Sequence, residues 1–490
     1  MMNSSSSCKY ILTSGRDDMT STFMQQEKLV SINPSTKQVL AEFPLMNKVE
    51  IEESIAAAAA AQKNWRKVPA PVRGELLLKI AQLLEDRAEE WGLLVTTEVG
   101  KCLRDGVAEI HRSISFLRFF AGEGYRMTGE TIPSRQAGVF AYTKQQPLGT
   151  VGVITPWNVP LAIPIWKMAP ALVAGNSIVW KPAPQSLMIS QKFMSLLEEA
   201  GVPKNVVTML IADGPLVSET FAADEQIKAV TFTGSTRTGQ TIHQVLAPRG
   251  VRFQAEMGGK NPFIIMPDAD IKQACLDIVS GGLLDAGQRC TATSRIFVHD
   301  SIYETFRDHM IATLNNVTLG LPTDESSIIG PVVDQRQYDT IRSYVEIAKS
   351  EGATLIYGED EPEEEWAQGG FFIKPKLFDH VTQQMTIANE EIFGPVLALI
   401  QFSDFEDCLK QSNAIEYGLS STIYTRDIAT AMKYTDEIES GLVHINMPST
   451  YSEPHMPFGG IKATGIGGFR EQGSHAIKFF TEWKTVYVRT

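Results

Sequence analysis

From about residue 147 the chain alternates short apolar runs with amphipathic stretches, and no other feature restricts its fold as strongly. GTVGVITPW reads as a buried strand that stops at a turn, 161–174 as a helix, SIVWKPA as a strand followed by a helix to about 200, VVTMLIA as a strand, 214–223 as a helix, and KAVTFTG as a strand with a helix beginning after Gly234. The rhythm restarts beyond Glu256 with NPFIIM, a long helix over 269–286, IFVH, helices over 301–315 and 335–352, and then LALIQF, STIYT and LVHIN. Strands alternating with helices require crossover connections and a parallel sheet. The expected fold is α/β, with two doubly wound parallel-sheet domains and a small β arm. Residues 26–127 and 148–257 form a Rossmann-like cofactor domain, and 258–457 a catalytic domain. Residues 50–91 are helical, broken at Pro69 and Pro71. Segments 128–147 and 478–490 fit neither rhythm, and their strand-like alternation suits an arm that pairs with itself and buries on another subunit. Residues 1–25 read as a polar, Ser-rich, disordered tail. The crevice at the carboxyl ends of such parallel strands is where nucleotides bind.

A chain of 490 residues exceeds what one core usually supports, which agrees with this division. The net charge of −13, without a basic stripe, argues against a nucleic-acid partner. No apolar run is long enough for a membrane span, and the N-terminus lacks a secretory signal. The five cysteines (Cys8, Cys102, Cys275, Cys290 and Cys408) are odd in number, scattered and without metal-ligand spacing. A cytoplasmic, reduced protein without bound metal is the expectation.

Cys290, in GQRCTATSR, is the residue with the most chemistry to offer, and AEMGGK lies upstream with Glu256. A cysteine taken singly is most often a small buried hydrophobe. Beside a carboxylate able to take its proton, or that of a water, it becomes a candidate for covalent catalysis. FTGSTRTG ends a strand and opens a helix, where Gly234, Ser235 and Gly239 suit a phosphate at a helix N-terminus. Gln240 and Thr241 stand where a P-loop has Lys-Ser/Thr, so triphosphate hydrolysis is rejected. Asn158, in TPWNVP, is either a turn residue before Pro160 or a donor to an oxyanion. Lys181, ending VWKPAP, either reaches solvent or meets a phosphate or ribose.

In their order and separations, TPWN, KPA, FTGST, EMGGK, GQRC, EEIFGP and PFGG resemble the aldehyde dehydrogenase superfamily, over about 28–490. The resemblance implies a nicotinamide-dependent enzyme with Cys290 as nucleophile, Asn158 as oxyanion donor, Glu256 as base for the hydrolytic water and Lys181 at the cofactor ribose. It implies Thr155, Pro156, Trp157, Gly234, Ser235, Gly239, Gln337, Glu391 and Phe393 in the cofactor cleft. Many NAD-preferring relatives carry a Glu three residues after the lysine. Pro184 stands there in this chain, which predicts that NADP is accepted, with NAD also used. A homodimer or homotetramer is implied.

The GQRC run and the ending REQGSHAIKFFTEWKTVYV look like the branch that oxidises 2-oxoglutarate semialdehyde, with succinate semialdehyde enzymes close by. Arg112 and Arg289 suit a small anionic aldehyde, and a sulfonated three-carbon aldehyde would satisfy the same arginines. Trp166, Thr291, His455 and Phe458 are expected to wall the substrate tunnel. Rivals are a CoA-acylating enzyme, disfavoured by the presence of Glu256, a catalytically silent cofactor-binding protein, and a Cys/His thiol hydrolase, for which no His lies near Cys290 in sequence.

Overall fold

The computed structural model describes residues 24–25 and 28–489. The tail expected over 1–25 lies outside the described residues, save Met24–Gln25, which pair with Lys28–Leu29.

Two sheets carry the two strand–helix series. The first has six strands, in the spatial order Gly465–Ile466, Arg252–Glu256, Ile227–Thr233, Thr150–Ile154, Ser177–Lys181, Val207–Met209. The last five are mutually parallel. The first of these strands in chain order, Thr150–Ile154, lies in the middle, and its parallel successors add to one side and then to the other. The crossover direction therefore reverses beside it, which opens a crevice at the carboxyl ends. Thr150–Ile154 is buried throughout, as a strand covered by helices on both faces must be. The second sheet has seven strands, ordered Thr354–Tyr357, Lys376–Asp379, Val396–Phe402, Thr293–His299, Asn261–Ile265, Ser420–Tyr424, Leu442–Ile445.

The fold departs from strictly parallel sheets in two places. Thr354–Tyr357 pairs antiparallel at one edge of the second sheet. Gly465–Ile466 returns from far down the chain to pair antiparallel with Ala255–Glu256. This second return binds the C-terminal region to the strand that presents Glu256. The helix expected over 269–286 also stops early: Ile271–Gly282 is helical, and Leu284–Gly287 follows as a tight turn. Consecutive glycines at 281 and 282 weaken the helix there. Asp285 and Ala286 then adopt left-handed backbone with φ of 55° each, a strain of about 1–3 kcal/mol per residue that occurs where neighbours over-determine the conformation. This turn leads directly into Cys290.

Strands from the two segments expected to form the arm, far apart in sequence, meet in one three-stranded antiparallel sheet, although 478–480 end the helix Ala476–Phe480 instead of joining it. Thr481–Arg489 pairs along the whole of Val139–Pro147, with Thr131–Ile132 on the other side. The sheet exposes Ile132, Phe140, Trp483, Tyr487 and Val488.

Candidate active site

Cys290 sits half-buried between the two sheets, on a loop tied down from three directions. Asn261 Nδ2 donates to the carbonyls of Cys290 and Ala292, 2.8 Å each, while its Oδ1 accepts from Ser420 N–H. Ser449 Oγ donates to Thr291 O at 2.8 Å. Asn158 Nδ2 donates to Gln288 O at 2.9 Å. An amide nitrogen carries two hydrogens, so the second remains for another acceptor. Burial, followed by the carboxylates of Glu391, Glu256 and Glu471, pushes the Cys290 thiol up to about 12. A thiol raised this far keeps its proton at neutral pH.

Glu256 ends its strand as a buried carboxyl whose Oε2 accepts from Gly460 N–H at 2.8 Å. Gly459 has φ of 153°, and a Cβ there would lie 2.4 Å from Glu256 Oε1. The PFGG turn is thus a backbone cap that only glycine can bring so close. Burial, reinforced by nearby Glu471, raises the Glu256 carboxyl well above the usual carboxylate range. Glu471 is in turn held by Lys167 and accepts from Trp166 Nε1 at 2.7 Å. Sequence reasoning missed Lys167 and Glu471. Neither belongs to a motif, and the first sheet's antiparallel return is what carries the C-terminal carboxylate next to Glu256.

Around the crevice, Thr155 N–H donates to Lys181 O, and Trp180 Nε1 donates to Thr155 Oγ1 at 2.9 Å. Pro156 continues that turn, and Trp157 meets the edge of Phe393, with ring centroids 5.5 Å apart. Phe393 holds φ of 58°, and Gln337 Nε2 donates to both Ile392 O and Phe393 O at 2.9 Å. Glu391 Oε1 accepts from Gly259 N–H at 2.9 Å, and burial lifts this carboxyl to about 7. Ser235 caps the following helix, and Gly234 N–H donates to Glu256 O. Gly239 is constrained by packing, since a Cβ there would lie 2.4 Å from Met257 Sδ. Pro184 opens the short turn Pro184–Ser186. Thr233 Oγ1, at the end of its strand, is buried without a hydrogen-bond partner among the described residues. An orphaned hydroxyl beside a capped helix N-terminus, at the mouth of a reversing parallel sheet, fits the pyrophosphate of a dinucleotide.

Arg112 lies on the Leu103–Glu123 helix, across the faces of Phe116 and Trp166 at 5.8 and 6.0 Å. It donates to Ser452 Oγ, and its buried Nε has no partner among the described residues. Phe116 and Phe458 both pack on Trp166, with centroids 5.4 and 5.7 Å away. Arg289 is bound otherwise: its Nε donates to Asp285 Oδ2 at 2.5 Å. Lys101 bridges Asp285 at 3.3 Å and Glu109 at 2.7 Å. Glu109 also accepts from Leu161 and Ala162 N–H, just beyond Asn158. This buried charge cluster ties together the segments that carry Arg112, Asn158 and Cys290. His455 stands outside the aromatic group, exposed and 3.4 Å from Glu453.

A dinucleotide-type crevice, beside a cysteine on a clamped loop and a buried carboxyl with a raised pKa, points to a class: dinucleotide-dependent oxidoreductases. The profile described as "Aldehyde dehydrogenase family" matches residues 22–486, and the chain belongs to that family as an NAD(P)-dependent aldehyde dehydrogenase. It is 43% identical to "Alpha-ketoglutaric semialdehyde dehydrogenase" of Bacillus subtilis, over 90% of each chain. It is 38% identical to "2,5-dioxopentanoate dehydrogenase" of Saccharolobus solfataricus, over 94% of this chain and 96% of that one. The NAD+ complex of an aldehyde dehydrogenase from Bacillus cereus superposes with a TM-score of 0.90, at 35% identity, over 94% of this chain and 93% of that one. Among the described residues, no helix is long and apolar enough to cross a membrane, and no group of three or more His, Cys, Asp or Glu could hold a metal ion.

Proposed function

We propose that this enzyme oxidises a small anionic semialdehyde, 2-oxoglutarate semialdehyde first, to the carboxylate through a cysteine thioester. One observation carries the choice of substrate: the half-buried Arg112 guanidinium, which lies close enough to Cys290 for their charges to interact, keeps an unpartnered Nε, donates to the Ser452 hydroxyl and lies across two aromatic faces, with Glu109 and Asp285 acting on it only at a distance. A half-buried guanidinium with no directly contacting carboxylate among the described residues calls for an anion, and here that anion is the far end of the substrate. Arg289, already neutralised by Asp285, is assigned to holding the loop. The names of the two semialdehyde dehydrogenases above agree with a dicarboxylate product. Trp166 and Phe458 form the wall, and Thr291 carries the backbone beside the reacting carbon.

The residues then act in sequence. Cys290 Sγ attacks the aldehyde carbon as its proton passes, through water, to the Glu256 carboxylate, which releases it to solvent before deacylation. Asn158 Nδ2 and the Cys290 backbone N–H hold the resulting oxyanion. A donor of this kind is worth about 3 kcal/mol of barrier. When bound in the crevice, nicotinamide would supply the hydride acceptor, so that the oxyanion held by Asn158 could collapse with loss of the carbon's hydrogen as hydride, the acyl group staying on Cys290 as a thioester. Glu256 takes a proton from the attacking water, and the acid departs with Cys290 restored. The presence of Glu256 favours water over coenzyme A as the acyl acceptor. Lys181, Ser235 and Gly234 hold the dinucleotide's ribose and phosphates, and Glu391 and Phe393 its nicotinamide end. Pro184 puts no carboxylate against a 2′-phosphate, so discrimination between NAD and NADP falls to a neighbouring residue.

Absorbance of the reduced cofactor, followed with 2-oxoglutarate semialdehyde, succinate semialdehyde, a sulfonated three-carbon aldehyde and propanal, with and without coenzyme A, tests the reading. The anionic aldehydes are expected to exceed propanal in kcat/KM, without any need for coenzyme A. Arg112→Ala is expected to raise KM for the anionic aldehydes by about 10- to 100-fold, the worth of a charge-assisted hydrogen bond, while leaving propanal nearly unchanged. Equal effects on both would remove Arg112 as the anion receptor. The exposed apolar face of the arm is assigned to subunit association. Deleting residues 482–490 should shift the sedimenting species from dimer or tetramer to monomer.

A further inference from the structure

The carboxyl end of the second strand is where a doubly wound fold meets the adenosine ribose, and an acidic side chain there ordinarily takes the ribose hydroxyls. In this fold that strand is Ser177–Lys181, next to the central Thr150–Ile154, and it ends on a cation. A lysine alone would attract a 2′-phosphate, and Pro184 in the following turn does nothing to oppose one. The third strand, Val207–Met209, changes the outcome. It runs parallel to the second and delivers Asp213 to the first turn of the helix Gly214–Ala223. Asp213 is the N-cap residue there, yet among the described residues its carboxylate accepts no hydrogen bond from the helix. The two chain segments come close: a Cβ built on Gly214 would lie 3.9 Å from Lys181 Cε.

We infer that Asp213 is the residue that selects NAD over NADP, working as a pair with Lys181 at the adenosine ribose. This rests on the placement of Lys181 at that ribose. Lys181 Nζ donates to a ribose oxygen while the Asp213 carboxylate accepts from a hydroxyl, so a neutral diol satisfies both. A 2′-phosphate removes the hydroxyl donor and sets a dianion against the carboxylate, which costs both a hydrogen bond and a repulsion in a half-buried site. Burial lowers the lysine to about 8, and Asp213 opposes that shift as its one charged influence, consistent with a pair that the surroundings leave without other ionic partners. The carboxylate missing at Pro184 is thus supplied from a different strand. The acceptance of NADP expected from Pro184 alone is opposed by a residue 29 positions further along the chain.

The test uses the full-length enzyme at saturating aldehyde, with kcat/KM measured for NAD+ and NADP+. The unaltered enzyme is expected to favour NAD+ by tenfold or more, about 1.4 kcal/mol. Asp213→Asn, which keeps shape and removes charge, should raise the NADP+/NAD+ ratio of kcat/KM at least tenfold, through a gain for NADP+ and a loss for NAD+. Calorimetric affinities should move in parallel, which separates ribose recognition from turnover. An NADP+/NAD+ ratio that moves less than twofold in Asp213→Asn overturns the inference. Lys181→Met keeps the two failures apart. If it raises KM for both cofactors while Asp213→Asn moves nothing, only the role of Asp213 is lost. If Lys181→Met leaves both KM values unchanged, the ribose assignment falls and the inference falls with it.

Discussion

Cys290→Ala is expected to lose aldehyde oxidation by about 10⁴-fold or more while binding the nicotinamide cofactor as before. The sulfur is the only atom in the arrangement that can hold the substrate carbon covalently through two chemical steps. Its neighbours, Thr291 and Arg289, offer no substitute nucleophile at the same position. The residues proposed to hold the ribose and phosphates, Lys181, Gly234 and Ser235, approach from the first sheet, so removing the sulfur leaves that part of the crevice intact. Stopped-flow absorbance for turnover and calorimetry for cofactor affinity decide the matter. Turnover within tenfold of the original would remove Cys290 as nucleophile. The elevated thiol pKa adds a pH dependence. With the thiol at about 12 in the unliganded enzyme, alkylation by iodoacetamide should be slow at neutral pH and accelerate as pH rises, because only the thiolate reacts.

Glu256→Gln is expected to separate the two half-reactions. Oxidation produces one equivalent of reduced cofactor in a burst. The acyl-enzyme then persists, because the amide cannot take the proton of the attacking water. General-base removal typically costs about 10²- to 10⁴-fold, and here that loss should fall on the steady state and spare the burst. Mass spectrometry of the quenched protein should find an adduct on Cys290 with the mass of the acyl group. No adduct and an unchanged steady state would remove Glu256 as the base. In the unaltered enzyme Glu256 is raised by burial and by Glu471, so it is the neutral acid at low pH and becomes a competent base only as pH rises through its shifted value. The deacylation rate should therefore climb with pH, and Glu471→Gln, by removing a neighbouring negative charge, should move that climb to lower pH.

Much of the site was legible as short runs of letters, because each run must satisfy a local constraint. GQRC places its sulfur in a turn, FTGST ends a strand and opens a helix, and EEIFGP needs one residue, Phe393, in left-handed backbone. The strand–helix series in the two halves was legible for the same reason: a strand buried on both faces is apolar along its length. Less legible were the contacts made by returning chain. Lys167 and Glu471 are 304 positions apart and became partners only because Gly465–Ile466 rejoins the first sheet. Arg289 sits beside the nucleophile in sequence, yet its charge is taken by Asp285 one helical turn away on a strained backbone. His455 lies three residues from Phe458 but stands exposed beside Glu453 instead of lining the aromatic wall.

The amino-acid order by itself determined the class of fold, the sulfur and carboxylate available for chemistry, and the glycines where backbone must pass close. These depend on neighbours within a few residues, and periodicity and turn preference express such interactions directly. Only the tertiary structure decided which charges are paired directly and which are not: Arg289 against Asp285, Lys167 against Glu471, and Arg112 against a hydroxyl and two aromatic rings. Electrostatic pairing acts through space, over distances set by packing, and its strength is set by how much water packing excludes.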